Sequence, residues 1–151
     1  MKNVHLITQL VINAYHRLSS VDQYKKQMAA LQFRKEFGTV KISLPRGTGH
    51  TTAAYQLLER FKDSILIVES FQHLIKLLPR REDDYHKINI NNRIIVAPAV
   101  GEDPAAVYHR HFTGNHWSLL ILDPAARVMS TQLDDLLMTV NSRYDLLVLL
   151  E

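Results

Sequence analysis

The sequence contains no cysteine. Disulfides, thiol nucleophiles and cysteine-ligated zinc or iron–sulfur centres are therefore excluded. It also lacks any uninterrupted apolar run near the ~18 residues that a membrane-spanning helix requires. The opening MKNVHLITQLVINAYHRL is interrupted by His5, Thr8, Gln9 and Asn13, and no small-residue cleavage site comes after it. It does not read as a signal peptide. There is no internal repeat and no low-complexity segment. Together these absences predict a soluble, cytoplasmic protein with no membrane partner.

The residues present fit one folded domain. The chain has 151 residues, 46% of them apolar and 22% charged, a balance found in globular proteins. The net charge of +3 is unevenly spread. Residues 1–37 carry six Lys/Arg against two Asp/Glu, and the remainder is close to neutral. The basic excess over residues 2–35 permits contact with DNA or RNA phosphates. Its plain reading is a solvated helix face. Tyr15, Tyr24 and Phe33 in the same stretch read as packing residues rather than base-stacking ones.

The apolar periodicity of Val4, Ile7, Val11, Ala14 or Tyr15, and Leu18 predicts a first helix over 4–18. Ser19 and Ser20 break that pattern. Ser20 and Gln23 have the spacing of a capping box, which predicts a second helix from Val21 to about Phe37. Gly38 stands where a left-handed helix end is expected. After it the period changes. Strands are predicted at 39–44, 64–68, 93–97, 118–122 and 144–150. Helices are predicted at 50–62, 70–78, 103–112 and 130–141. The 50–62 helix places Ala53, Ala54, Leu57, Leu58 and Phe61 on one face. Alternating strands and helices predict an α/β fold with a parallel five-stranded sheet, covered on both faces in three layers. The two N-terminal helices, segment 1–38, are expected on its flank or edge, as part of one compact unit with 39–151.

The segment 44–52 reads LPRGTGHTT and lies between the first strand and the next helix. Glycines at 47 and 49 let the backbone curl so that successive N–H groups point inward. A helix amino terminus adds partial positive charge for an anion. Thr51 is placed to ligate Mg²⁺. A second element, Leu119–Ala125 (LLILDPA), is an apolar strand ending in Asp123. The plain alternatives are a glycine-rich β–α turn and an ordinary strand-to-turn signal.

The first segment resembles the Walker A loop of P-loop NTPases, in the PRGTGKT form of viral terminases and helicase-like motors. The second resembles a Walker B strand. Two substitutions mark both motifs as degenerate: His50 replaces the Walker lysine, and Pro124 replaces the glutamate that polarises the attacking water. Leu44 also replaces the usual first glycine. The resemblance covers about residues 39–151. It implies a three-layer P-loop NTPase-like core in which Arg46, Gly47, Thr48, Gly49, His50, Thr51 and Thr52 bind a nucleotide, with Thr51 and Asp123 holding Mg²⁺ and Arg46 a candidate finger on the γ-phosphate. It further implies ATP or another nucleotide as ligand, weak or absent hydrolysis, a viral or mobile-element setting, and a protein partner or homo-oligomer. Two other functions are compatible with these residues: a non-catalytic interaction or inhibitor protein using the fold as a scaffold, and an active small ATPase linked to DNA replication, packaging or recombination. In the latter, Glu69 or Asp145 would replace the missing glutamate. His109, His111 and His116 are close enough in sequence to suggest zinc, although a surface loop is the default reading.

Overall fold

Each β-branched or aliphatic run forms a strand because its alternate side chains have two apolar surfaces to enter. In a computed structural model of the chain, the residues described are 3–45, 49–68, 93–97, 102, 103, 106, 116–123 and 144–150. The strands are β1 (Thr39–Ile42), β2 (Ser64–Val68), β3 (Ile94–Val96), β4 (Trp117–Leu122) and β5 (Tyr144–Leu150). They form one sheet in the order β1-β5-β4-β2-β3. Every neighbouring pair is parallel. The fold is thus α/β with a parallel five-stranded sheet.

Alternation along the strands divides the core in two. Leu66, Val68, Leu119, Ile121, Leu146 and Val148 share one buried cluster with residues of the helices α1 (Val4–Val21) and α3 (His50–Arg60). Ile65, Ile67, Leu120, Leu122 and Leu147 form a second buried cluster. Both faces of the sheet are therefore shielded from water. The helix predicted at 50–62 buries the expected stripe, with Ala53, Ala54, Leu57 and Leu58 fully enclosed. The helices predicted at 70–78 and 130–141 lie outside the described residues. The one predicted at 103–112 does so for most of its length.

The amino-terminal segment departs from expectation in three ways. First, α1 continues through Ser19 and Ser20 to Val21. Both hydroxyls donate back to their own helix, Ser19 Oγ to the His16 carbonyl at 3.0 Å and Ser20 Oγ to that of Arg17 at 2.7 Å. Ser20 therefore caps no new helix. A 3₁₀ turn over Asp22–Tyr24 comes next, and the second helix, α2, is only Ala30–Glu36. Second, the left-handed glycine among the described residues is Gly49, not Gly38. Third, α1 is not a flanking element. Ile7 and Val11 are fully buried in the same cluster as α3 and the sheet, so α1 covers the sheet face. The aromatic residues do pack: Tyr15 meets Phe61 edge-on at 5.2 Å, Tyr24 stacks on Phe37 at 5.8 Å, and Phe33 lies 5.4 Å from Phe37.

A buried cation fastens the far end of α3. Arg93, 8% exposed, directs Nη1 at the Leu58 carbonyl (2.9 Å), the Phe61 carbonyl (3.2 Å) and Ser64 (O 3.4 Å, Oγ 3.3 Å). Helix carboxyl ends expose unpaired carbonyls and carry partial negative charge, so a guanidinium suits this position. Burial lowers the Arg93 pKa from its ordinary value, and the charge of Asp63 opposes that shift.

Candidate functional site at the carboxyl edge of the sheet

The strand order fixes where a ligand crevice can form. The chain leaves β2 for its outer neighbour β3, whereas it leaves β4 for β5 on the opposite side. Ligands of open parallel sheets bind at such reversals, outside the carboxyl ends of the strands. Asp123 stands at this point. Its N–H still joins the ladder, donating to the Ile67 carbonyl at 3.0 Å. The alternation of β4 assigns residue 123 to the face of Leu119 and Ile121, which is the face α3 covers. Asp123 is only 4% exposed.

The opposite wall is the amino terminus of α3. Gly49 takes φ 106° and ψ 21° as the helix begins, a left-handed conformation that costs a residue with a Cβ roughly 1–2 kcal/mol. Its carbonyl accepts the first helical bond, from Ala53 N–H at 2.8 Å. Thr51, in the first turn, donates from Oγ1 to Asp123 Oδ2 at 3.0 Å. These two residues are 72 positions apart in sequence. The pairing joins the glycine-rich segment to the end of the apolar strand, the two stretches whose sequences suggest phosphate and metal chemistry.

His50, the first residue of the helix, is 7% exposed. Its Nε2 is buried with no hydrogen-bond partner among the described residues. An enclosed imidazole nitrogen ordinarily finds a partner, because burying a polar atom unpaired costs about 1–3 kcal/mol. His50 belongs to the first turn of α3, the end of a helix at which an anion is stabilised. Thr52 is half-buried on the same turn.

Other expected residues fall elsewhere. Arg46, Gly47 and Thr48 lie outside the described residues, as do Glu69 and Pro124. Asp145 is not part of this site. Leu122 pairs with Leu149 across β4 and β5, so Asp145 lies back along β5, about 13 Å from the carboxyl edge at ~3.3 Å per residue. It is bonded there to His116, with Nε2 and Oδ1 2.8 Å apart. His109 and His111 lie outside the described residues. Among the described residues no group of three or more histidine or carboxylate side chains is gathered to hold a metal. Arg17, Lys25, Lys26 and Lys35 are exposed on the amino-terminal segment. No helix among the described residues is long and apolar enough to cross a membrane.

The sequence did not disclose the buried role of Arg93 or the His116–Asp145 contact. The first had a faint signal, a lone arginine directly before an apolar strand. The second had none, because 29 residues separate its partners.

No family model, curated protein or solved structure matches the chain.

Proposed function

We propose that the chain is a degenerate protein of the P-loop NTPase fold that binds a phosphate-bearing ligand, a nucleotide with Mg²⁺, at the carboxyl edge of its sheet and hydrolyses it weakly or not at all. The observation that carries this reading is the hydrogen bond from Thr51 Oγ1 to Asp123 Oδ2, made at a helix amino terminus that a left-handed Gly49 opens. Shielding of both sheet faces supports the three-layer form of that fold.

The residues present suit the metal. A hydroxyl and a carboxylate 3.0 Å apart are hard oxygen donors, and Mg²⁺ takes few protein ligands, filling its octahedron with phosphate oxygens and water. Thr51 and Asp123 would hold the ion, which when bound neutralises phosphate charge. Backbone N–H groups of residues 47–51 would cradle the phosphates, and the unpartnered His50 Nε2 would contribute one more contact. Hydrolysis is expected to be weak because two electrostatic elements differ. An imidazole stands in place of the fixed lysine charge, and proline replaces the water-orienting carboxylate. Asp145 is about 13 Å from this edge and does not substitute for that carboxylate.

Isothermal titration with Mg²⁺–ATP and Mg²⁺–ADP tests the binding. Saturable heat is expected for the natural chain, and binding about a hundredfold weaker for Asp123→Ala. Absence of heat with either nucleotide removes the proposal. Phosphate release at the same background rate in the natural chain and His50→Ala is the companion expectation for catalysis.

A specific observation also favours a protein partner. Leu6 and Leu10, one turn apart on α1, are 48% and 42% exposed. An interaction module that uses the fold as a scaffold would present such a surface. A Leu6→Ser, Leu10→Ser pair would then lose the partner while leaving nucleotide binding intact.

A further inference from the structure

A second concavity lies at the opposite, amino edge of the sheet. It has a volume of about 440 Å³, within the size range of small-molecule sites. The last turns of α1, the 3₁₀ turn, α2 and the start of β5 enclose it. Its lining includes three aromatic rings: Phe33 and Tyr144 are buried, and Tyr15 is half-buried. Exposed polar groups line it as well, among them Asp22, Lys25 and the bonded pair His116–Asp145.

The charge at this mouth is arranged against the local backbone. A helix carboxyl end carries partial negative charge and is stabilised by a basic residue. The last turn of α1 contains none, and its C-cap is an aspartate, Asp22. That carboxylate forms no ion pair among the described residues. A second carboxylate, Asp145, lines the same cavity. Against the two stand one lysine, Lys25, and the imidazoles of His16 and His116, the latter bonded to Oδ1 of Asp145. Aromatic faces attract cations through their quadrupoles. Carboxylates, helix dipole and rings therefore favour the same sign of ligand.

We propose that this cavity binds a small organic cation, an ammonium or guanidinium carried on an apolar stem. The stem lies along Tyr15, Phe33 and Tyr144, and the charged head meets Asp22 and Asp145 beneath the end of α1. The site is separate from the carboxyl edge and independent of any nucleotide bound there.

Agmatine is a suitable probe, with glutarate as its anionic counterpart. Titration of the full chain should give saturable binding of agmatine and none of glutarate. Asp22→Asn changes an exposed side chain and keeps its shape, so it should fold as the natural chain does by circular dichroism. It should weaken agmatine by about fivefold, the scale of one partly screened charge contact. Lys25→Gln should act in the opposite direction and tighten binding by removing a like charge. Asp123→Asn should leave agmatine unaffected, which separates this site from the first. Failure of agmatine to saturate, unchanged affinity in Asp22→Asn, weaker binding in Lys25→Gln, or preference for glutarate would each overturn the proposal.

Discussion

The contacts Thr51–Asp123 and His116–Asp145 each join distant parts of this chain, and they differ in almost every physical respect. Thr51–Asp123 lies at the carboxyl edge of the sheet, and its aspartate is 4% exposed. His116–Asp145 lies at the amino edge, with side chains 54% and 40% exposed. The second is the shorter, 2.8 Å against 3.0 Å, yet distance is a poor guide to worth. Where water is excluded, an unmade hydrogen bond leaves a stranded group and costs about 1–3 kcal/mol. Where water has access, the same group is rehydrated and the contact is worth ~1 kcal/mol or less. Enclosure, not proximity, marks the carboxyl edge as the place where a few atoms can control binding.

The largest expected effect tests whether α3 must be held at both ends for that site to exist. Arg93→Met removes the cation that caps the Leu58 and Phe61 carbonyls. Loss of one partner from a buried charged network costs about 3 kcal/mol, which urea denaturation should register as a lower midpoint. Nucleotide affinity in the folded fraction should be retained, since the first turn of α3 keeps Thr51 and Asp123 together. Loss of binding in a fully folded variant would show that the two ends of α3 are mechanically coupled.

Next in size is Asp123→Ala. It removes both the acceptor for Thr51 and the proposed metal ligand. A fall in Mg²⁺–nucleotide affinity of about a hundredfold, near 2.7 kcal/mol, is expected. Titration without Mg²⁺ sharpens the result, because natural chain and variant should then bind equally weakly.

His50→Lys asks how much the missing charge matters. A lysine at the head of α3 should raise Mg²⁺–ATP affinity about tenfold through a fixed charge on the phosphates. Without ligand the same change buries an ammonium where a 7% exposed imidazole stood, so thermal stability should fall. A variant that loses stability but gains no affinity would place residue 50 away from the phosphates.

These variants trace the line between the features that local sequence discloses and those it conceals. All five strands and the buried stripe of α3 are legible from local period, since the sheet rewards unbroken aliphatic runs and the helix rewards spacing of three and four. The positions of Thr51 and Asp123 near the ends of secondary-structure elements are legible for the same reason, whereas the hydrogen bond between them is not. The end of α1 was not. Ser19 and Ser20 look like a helix stop, but their hydroxyls are equally able to bond backward into the helix that carries them, and packing of Ile7 and Val11 on the sheet favours a long helix. The distance of Asp145 from the site was not legible either, because a strand's sequence does not disclose how far its first residues lie from a site built at its end.

The smallest effect is the decisive one for the two edges. A double-mutant cycle with His116→Ala and Asp145→Ala isolates the coupling of that pair from the other contacts of each residue. Both side chains are substantially exposed, so the coupling should be about 0.5 kcal/mol or less near neutral pH and should shrink further in high salt. The equivalent cycle at Thr51→Val and Asp123→Ala should give about 1–2 kcal/mol with little salt dependence, because the bond is shielded and its donor is neutral. If the two cycles return the same coupling and the same salt response, enclosure is not what distinguishes the two edges. The carboxyl edge then loses its physical claim to be the site where ligand chemistry is concentrated.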